Sequence, residues 1–596
     1  MKITHFLMFS LSLILIASVS ISAQEGRPAI HPSDVVFMYA ADPAGQYDEY
    51  QGTVVGWGGR PRSRAPQDVD RFKQLVEEAH KRGMRYCGSV DFLVDFAGFI
   101  DFAPDDFMDA VCRDLDGNPL QVPWLWDHKH KGHPAYWFCF NHPSYQKYLL
   151  DQAERVCLAP VDGLHIDDYS GTSHCSEFNG GCFCPYCMNG FRDYLQKKFS
   201  HQELLDLGIS SIQTFDYGKH LKEIGFTADE FKRYRKDDPL RKHFQDFQNE
   251  QMKIRISAVY KHAEDLRGKP LVRSVNSSAS SPRTVIPSPI IDYFCGEIPQ
   301  HASRQSLNAE PVFVYKMVET LGDRQTATAS GHDWAWIKAN DKPGLVRAWI
   351  AQTYAHGSVF MVPHRQWCYT QELGTHWWRG KPKDFAFLYR FVRVRSALLD
   401  GYVSLSNLAV LCTDSDFNAL KQCSTALTEA NIPHDLLYTP EANQAPRSAH
   451  SLKKYQAVLA TSEAQSQAGW LQDQGLQIIE WNGIESLPEA FQQCIITDKP
   501  DYVRVSLRVK LDQPAAPLVC HVLNQNYKPG ADSIAPCDTT VAIAKPLLSQ
   551  AGKSQISRAI IHEPDKESRT VDVQSNDSAF SFTLDSLGLW AIVELH

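Results

Sequence analysis

Two adjacent carboxylates, Asp167 and Asp168, end an apolar run that opens at Gly163, and a cysteine knuckle begins within fifteen residues of them. An apolar run that stops at an acid presents that acid at a strand tip instead of inside a sheet. The knuckle spaces Cys182, Cys184 and Cys187 as C-x-C-x-x-C. Thiolates at that spacing can wrap one metal ion and pin the loop that carries the tip. Acid groups at strand ends, held by stapled loops, are how many barrel enzymes build a hydrolytic site. Adjacent strand residues point to opposite faces, so at most one of the two acids faces a barrel axis unless the strand twists at its end. The competing reading is that the pair caps the segment that follows.

Glycoside hydrolysis needs two carboxyl groups, one to protonate the leaving oxygen and one to attack or to activate water. Asp168 and Asp167 supply one candidate. The best partner is Glu297, which follows an apolar run and a glycine; Asp333 is the runner-up. Either acid would otherwise be half of a structural ion pair with an arginine. Asp91, His165, Asn276, Asp333, Trp334, His364 and Arg365 complete a candidate substrate-binding set. An arginine there can clamp a carboxylate or sulfate on an acidic sugar. A structural zinc wants four ligands, and the knuckle gives three. Cys175 is the nearest fourth thiol and Cys139 the distant one, while disulfides among these cysteines are the alternative. A hydrolytic zinc would require an open coordination position.

These groups need a scaffold with many strand ends on one face. Apolar runs at 35–39, 53–57, 86–90, 163–166, 271–275, 290–294, 326–329 and 358–362 read as eight strands. Helical segments at 68–82, 244–266 and 344–355 fall between several of them, and Gly83 stops the first. Alternation of this kind predicts a (β/α)8 TIM barrel over 24–398, with a doubly wound open sheet as the competing α/β architecture. Asp91, the Asp167 pair, Asn276, Glu297, His332 with Asp333, and His364 with Arg365 then follow strands three to eight, ringing the carboxyl-end face. Buried-type strands at 408–411 and 457–460 around a helix at 419–430 predict a small flavodoxin-like α/β domain over 399–497. Alternating runs at 502–509, 518–524, 539–544 and 589–595 predict a C-terminal β-sandwich over 498–596.

The bulk composition excludes some classes. The chain has 596 residues, 43% hydrophobic and 22% charged, with a net charge of -9 and no long basic run, so it lacks a nucleic-acid footprint. The segment 1–23 reads as an export signal: Lys2, an apolar stretch from Leu7 to Val19, then small residues for cleavage near Ala23. That stretch is short for a membrane span, so the expected location is periplasmic or secreted, with no membrane attachment after cleavage. Most of the 15 cysteines lie singly in apolar stretches, as buried thiols do. Thirteen Trp and 23 Tyr suit stacking on sugar rings, although aromatics fill cores more often than clefts.

The runs Cys139 to Tyr145, Ile166 to Tyr169, Cys182 to Cys187 and Phe191 to Leu195 resemble glycoside hydrolase family 42, the β-galactosidases. The segment from Lys342 through Ser358 is similar to that family's approach to its eighth strand. The resemblance covers most of residues 30 to 490, with the cysteine pattern its most specific part. It implies a clan A-like barrel, a zinc site that uses Cys139 in place of Cys175, and a small α/β domain like that family's trimerisation domain, hence a possible homo-oligomer. It also implies an acid/base on Asp168 and a nucleophile near Thr328 to Gly331, where the chain has no carboxylate. The chain further resembles hypothetical glycosyl hydrolases of the fucosidase-like kind, with an aspartate nucleophile on the fourth strand. That resemblance implies attack by Asp167 or Asp168 with Glu297 as acid/base. The expected function is an exported glycoside hydrolase acting on an oligo- or polysaccharide; the alternative is a carbohydrate-binding protein that has lost catalysis.

Overall fold

The computed structural model describes residues 30–233, 238–439, 452–465 and 468–596. The expected export signal lies outside these residues. Eight parallel strands follow one another around a barrel: β1 (Val36–Phe37), β2 (Val54–Val55), β3 (Arg85–Asp91), β4 (Gly163–Asp167), β5 (Val272–Val275), β6 (Tyr293–Ile298), β7 (Gln325–Ala329) and β8 (Val359–Phe360). A parallel bridge from Phe37 to Val362 brings the last strand back to the first. The fold is therefore a (β/α)8 barrel, and the open-sheet alternative is set aside.

The strands are short runs of branched and aromatic residues buried on both faces, as a parallel barrel requires. One expected strand is displaced. The run at 290–294 starts with a short 3-10 turn at Ser288–Ile290, and β6 continues to Ile298. Gly296 permits this extension, because a Cβ there would come within 2.6 Å of the Ser277 carbonyl oxygen. Glu297 thus lies inside the strand, its Cα paired with that of Thr328, instead of after it.

The loop after β4 is braced from outside. A helix over Pro239–Arg267 is capped by Asp238, has proline at its first position and ends at left-handed Gly268. It lies along the helices Pro143–Val156 and Gly171–Asn179. Arg241 donates to the Ser176 carbonyl oxygen at 2.6 Å, and Gln245 to the Ser173 carbonyl oxygen at 3.2 Å.

Beyond the barrel, four parallel strands in the order Asp435–Thr439, Leu408–Thr413, Ala457–Ala460, Gln477–Glu480 form a small α/β sheet. A six-stranded and a four-stranded antiparallel sheet enclose a separate apolar core. Two short strands, Val403–Ser404 and Ile495–Thr497, belong to these antiparallel sheets although they flank the small α/β unit in sequence. The three parts are tied together by polar contacts. Lys316 donates to the His434 carbonyl oxygen at 2.6 Å, Thr320 to that of Leu436 at 2.8 Å, and Arg508 pairs with Glu319 at 3.2 Å. No helix among the described residues is long and apolar enough to cross a membrane.

Candidate active site

Asp167 is the last residue of β4, and Asp168 breaks the strand with a left-handed φ of 44°. Aspartate is one of the few non-glycine residues that adopts this conformation readily. The turn removes the alternation that would otherwise send the two side chains to opposite faces. As a result Asp91, Asp167 and Asp168 each place a carboxylate oxygen within 4.8 Å of the others.

The three acids are held differently. Asp91 accepts the backbone N–H groups of Leu93 and Val94 at 2.9 and 2.6 Å. Asp167 accepts the Asp168 N–H at 2.8 Å and the Asn276 amide at 2.9 Å. Asp168 lines a cleft of about 190 Å³ with Tyr169, His174, Asn276, Arg283 and Glu297. Burial, and then the charges of its acid neighbours, push the carboxyls of Asp167 and Asp168 well above the usual carboxylate range. Asp91 is raised by burial, with Arg60 pulling the other way. Three acids this close titrate together, because ionising one disfavours ionising the next.

Glu297 reaches the same cleft from β6. Burial, and secondarily the charge of Asp333, raise it to about 7, while the Gly331 N–H opposes the shift. A carboxyl that titrates near neutrality in one cleft with a second carboxyl supplies the two groups that glycosidic cleavage needs.

Other sequence candidates lie elsewhere. Asp333 is buried and saturated: it accepts the N–H groups of Gln300 and Ala302, both at 2.7 Å, and the Ser330 hydroxyl at 2.6 Å. It fastens the loop after β6 to the helix Gly331–Asn340, which leaves it no free oxygen for substrate. Trp334 is fully buried, stacked on Trp378 at 5.0 Å with its indole N–H donated to Thr328 at 2.9 Å, so it is core and not a sugar wall. His165 is also fully buried inside the barrel, against Trp57 at 4.3 Å and 3.0 Å from the Ser274 hydroxyl; burial lowers it to about 3. His364 is buried against the Phe37 ring at 5.0 Å. Alternation along a strand sends such side chains inward, and strand-end position alone does not reveal this.

Arg365 does stand at the barrel mouth. Its guanidinium carbon lies 4.2 Å from the ring centre of Trp377 and 5.2 Å from that of Tyr39. Trp377 belongs to the hairpin Gln366–Thr370/Gly374–Trp378 that follows β8. Tyr39, just past β1, is held far above its ordinary range by burial first and by the charge of Asp167 next. Tyr39 and Trp377 were not singled out by sequence reasoning. The signal available for Tyr39 was its place at the end of the first apolar run.

The sulfur atoms of Cys139, Cys182, Cys184 and Cys187 lie within 4.8 Å of one another, all buried, with Cys139 3.4 Å from Cys187 and 3.5 Å from Cys184. Sulfurs around a tetrahedral zinc sit about 3.8 Å apart, given a Zn–S bond of about 2.3 Å. The donor set therefore fits such an ion, with Asn141 donating to the Cys187 sulfur at 3.4 Å. Cys175, nearer in sequence, lies against Cys112 instead. All fifteen cysteines are free thiols.

No family model matches the chain. It is 24% identical over 602 residues to an α-agarase of Alteromonas agarilytica, covering 94% of this chain and 41% of that protein. It is also 24% identical over 597 residues to an α-agarase of Thalassotalea agarivorans, covering 94% and 40%. The chain thus spans about two fifths of the length of the curated relatives it matches. Among solved structures it is similar to α-L-fucosidase isoenzyme 2 from Paenibacillus thiaminolyticus, with a TM-score of 0.62, 10% identity, and coverage of 95% of this chain and 100% of that one. At that identity the likeness speaks for the fold alone.

Proposed function

We propose that this chain is a glycoside hydrolase that cleaves an agar-type polysaccharide, with Glu297 as general acid and the Asp168–Asp167 pair as the opposing carboxylate. The observation that carries the reading is the shared cleft. Asp168 and Glu297 line one hollow from two strands, and burial raises both carboxyls, Glu297 to about 7. Relatives named α-agarases, matched over nearly the whole chain, supply the substrate class. The family 42 resemblance rests on the cysteine pattern, and the relatives found carry a different name. The seventh-strand carboxylate that the resemblance calls for is missing, but Glu297 stands beside that position, paired with Thr328 across the sheet.

Asp168, whose carboxylate has no hydrogen-bond donor among the described residues, faces the scissile carbon. Asp167, tied to Asn276, sets the field around it. Glu297 carries the proton for the leaving oxygen. A zinc ion held by Cys139, Cys182, Cys184 and Cys187 would brace the loop after β4. Four thiolates fill a tetrahedral ion, so it takes no part in hydrolysis. Export to the periplasm or medium, suggested by the leader, puts the enzyme where such polymers are met.

The test is reducing-sugar release from agar-type polysaccharides by the wild type, by Glu297→Gln and by Asp168→Asn. The wild type should hydrolyse the polymer, and each variant should lose at least about a thousandfold, the scale of removing a central catalytic group. Near-normal hydrolysis by both variants would refute the assignment. A wild type that binds the polymer without cleaving it would favour the carbohydrate-binding alternative.

A further inference from the structure

The barrel mouth is divided electrostatically. Asp91, Asp167, Asp168 and Glu297 come from β3, β4 and β6, while Tyr39 and Arg365 follow β1 and β8, which adjoin where the barrel closes. Other arginines near the mouth have carboxylate partners: Arg60 pairs with Asp95, Arg283 with Glu177 at 2.7 Å, and Arg304 with Glu310 at 3.0 Å. Arg365 does not. Among the described residues no acid lies within salt-bridge distance of Arg365 or of Arg379, one residue past the hairpin strand that carries Trp377. The ionisable groups that act on Arg365 are Tyr39 and a second cation, Arg379.

Arg365 is half-buried between two ring faces, and Trp377 is 38% exposed beside it. A half-buried guanidinium beside another cation, with no acid in reach among the described residues, gains from an anion that a ligand supplies. The planar fork of an arginine suits an oxyanion, and the neighbouring rings suit the apolar face of a sugar.

We propose that Arg365, walled by Tyr39 and Trp377 and with Arg379 at the exposed rim, forms a subsite for an anionic substituent, a sulfate ester or a carboxylate, on the polysaccharide cleaved in the acid cleft. This rests on the polysaccharide-hydrolase reading and narrows its substrate to charged chains. The acids across the mouth would repel the same substituent, so it also fixes which way the chain lies. Binding in one direction only places a defined linkage over Asp168 and Glu297.

The experiment is calorimetric titration of the full chain, in a Glu297→Gln background that keeps the ligand intact. The ligands are matched agar-type oligosaccharides: neutral, sulfated and carboxylate-bearing. At least one anionic form should bind 10-fold or more tightly than the neutral one, the scale of one charge-assisted contact. Adding Arg365→Gln, alone and with Arg379→Gln, should bring that ratio below 3. The arm that shows the preference distinguishes sulfate from carboxylate. A ratio near 1 in the parent, or a ratio that survives both substitutions, overturns the subsite. Wild-type hydrolysis of neutral agar with no anionic preference sinks the subsite alone. Failure to bind any of the three, with no hydrolysis, removes the polysaccharide reading as well.

Discussion

Replacing Asp168 by Asn should make the protein more stable while it abolishes activity. Its carboxylate oxygen lies within 4.8 Å of those of Asp91 and Asp167. Two unit charges at that separation repel by about 3.5 kcal/mol at an effective dielectric of 20. Proton sharing, the nearby Arg60 and partial solvent access discount this, leaving about 1 to 2 kcal/mol to be recovered at pH 8. The sign follows from linkage. Asp167 and Asp168 have folded-state values raised above their unfolded ones, so the folded protein binds more protons, and stability falls as pH rises from the ordinary aspartate range upward. Wild-type Tm should therefore drop between pH 5 and pH 8 more steeply than that of Asp168→Asn. The variant should gain roughly 1 to 2 °C at pH 8 and little at pH 4. Differential scanning calorimetry across that range reads it directly. Parallel curves for the two proteins, or a variant less stable at pH 8, would show that the acids are not crowded as the geometry has them.

Other outcomes follow from the same structure. Metal analysis of purified protein should find about one zinc per chain, and Cys187→Ser should lower both zinc content and thermal stability by 2 kcal/mol or more through the loop after β4; full metal-free stability would contradict the site. Trp377→Ala should raise KM for polysaccharide about tenfold while kcat changes less, as loss of a stacking surface does; unchanged steady-state constants would remove it from the substrate path. Asp333→Asn should act mainly on folding, and by removing a charge that helps raise Glu297 it should move the alkaline limb of activity to lower pH. The carboxylate accepts two backbone N–H groups and a hydroxyl, so the amide should cost about 2 kcal/mol in denaturant unfolding, with kcat of the folded fraction within a few-fold of wild type.

Most of the fold was legible because barrel strands announce themselves as short apolar runs with polar stops. All eight strands fall on the runs expected, with β6 displaced toward its carboxyl end. That displacement came from Gly296, whose role as a point of close approach to Ser277 is a tertiary fact. The acid pair was legible for the same reason as the strands. How the two carboxylates come within 4.8 Å of each other was not, because it depends on the left-handed turn at Asp168. The inward-facing residues were misjudged where side-chain direction decides: His165, Trp334 and His364 are near strand ends yet sealed. Cys139 lies over forty residues from the knuckle, so spacing left it level with Cys175 as fourth ligand and only the resemblance chose between them. Of the cationic side of the mouth Arg365 was legible, but its ring partners were not: Tyr39 reads as part of the first apolar run, and Trp377 lies on a hairpin beyond the last barrel strand.

The most direct measurement of the central claim is kcat/KM for polysaccharide against pH in the wild type and in Glu297→Gln. With Glu297 as the acid, titrating near 7, wild-type activity should fall tenfold per pH unit above about 7. Its acid limb should lie above the ordinary aspartate range, because Asp167 and Asp168 must ionise. The residual activity of Glu297→Gln should lose the alkaline limb and keep the acid one. An alkaline limb that persists near pH 7 in Glu297→Gln would contradict the account.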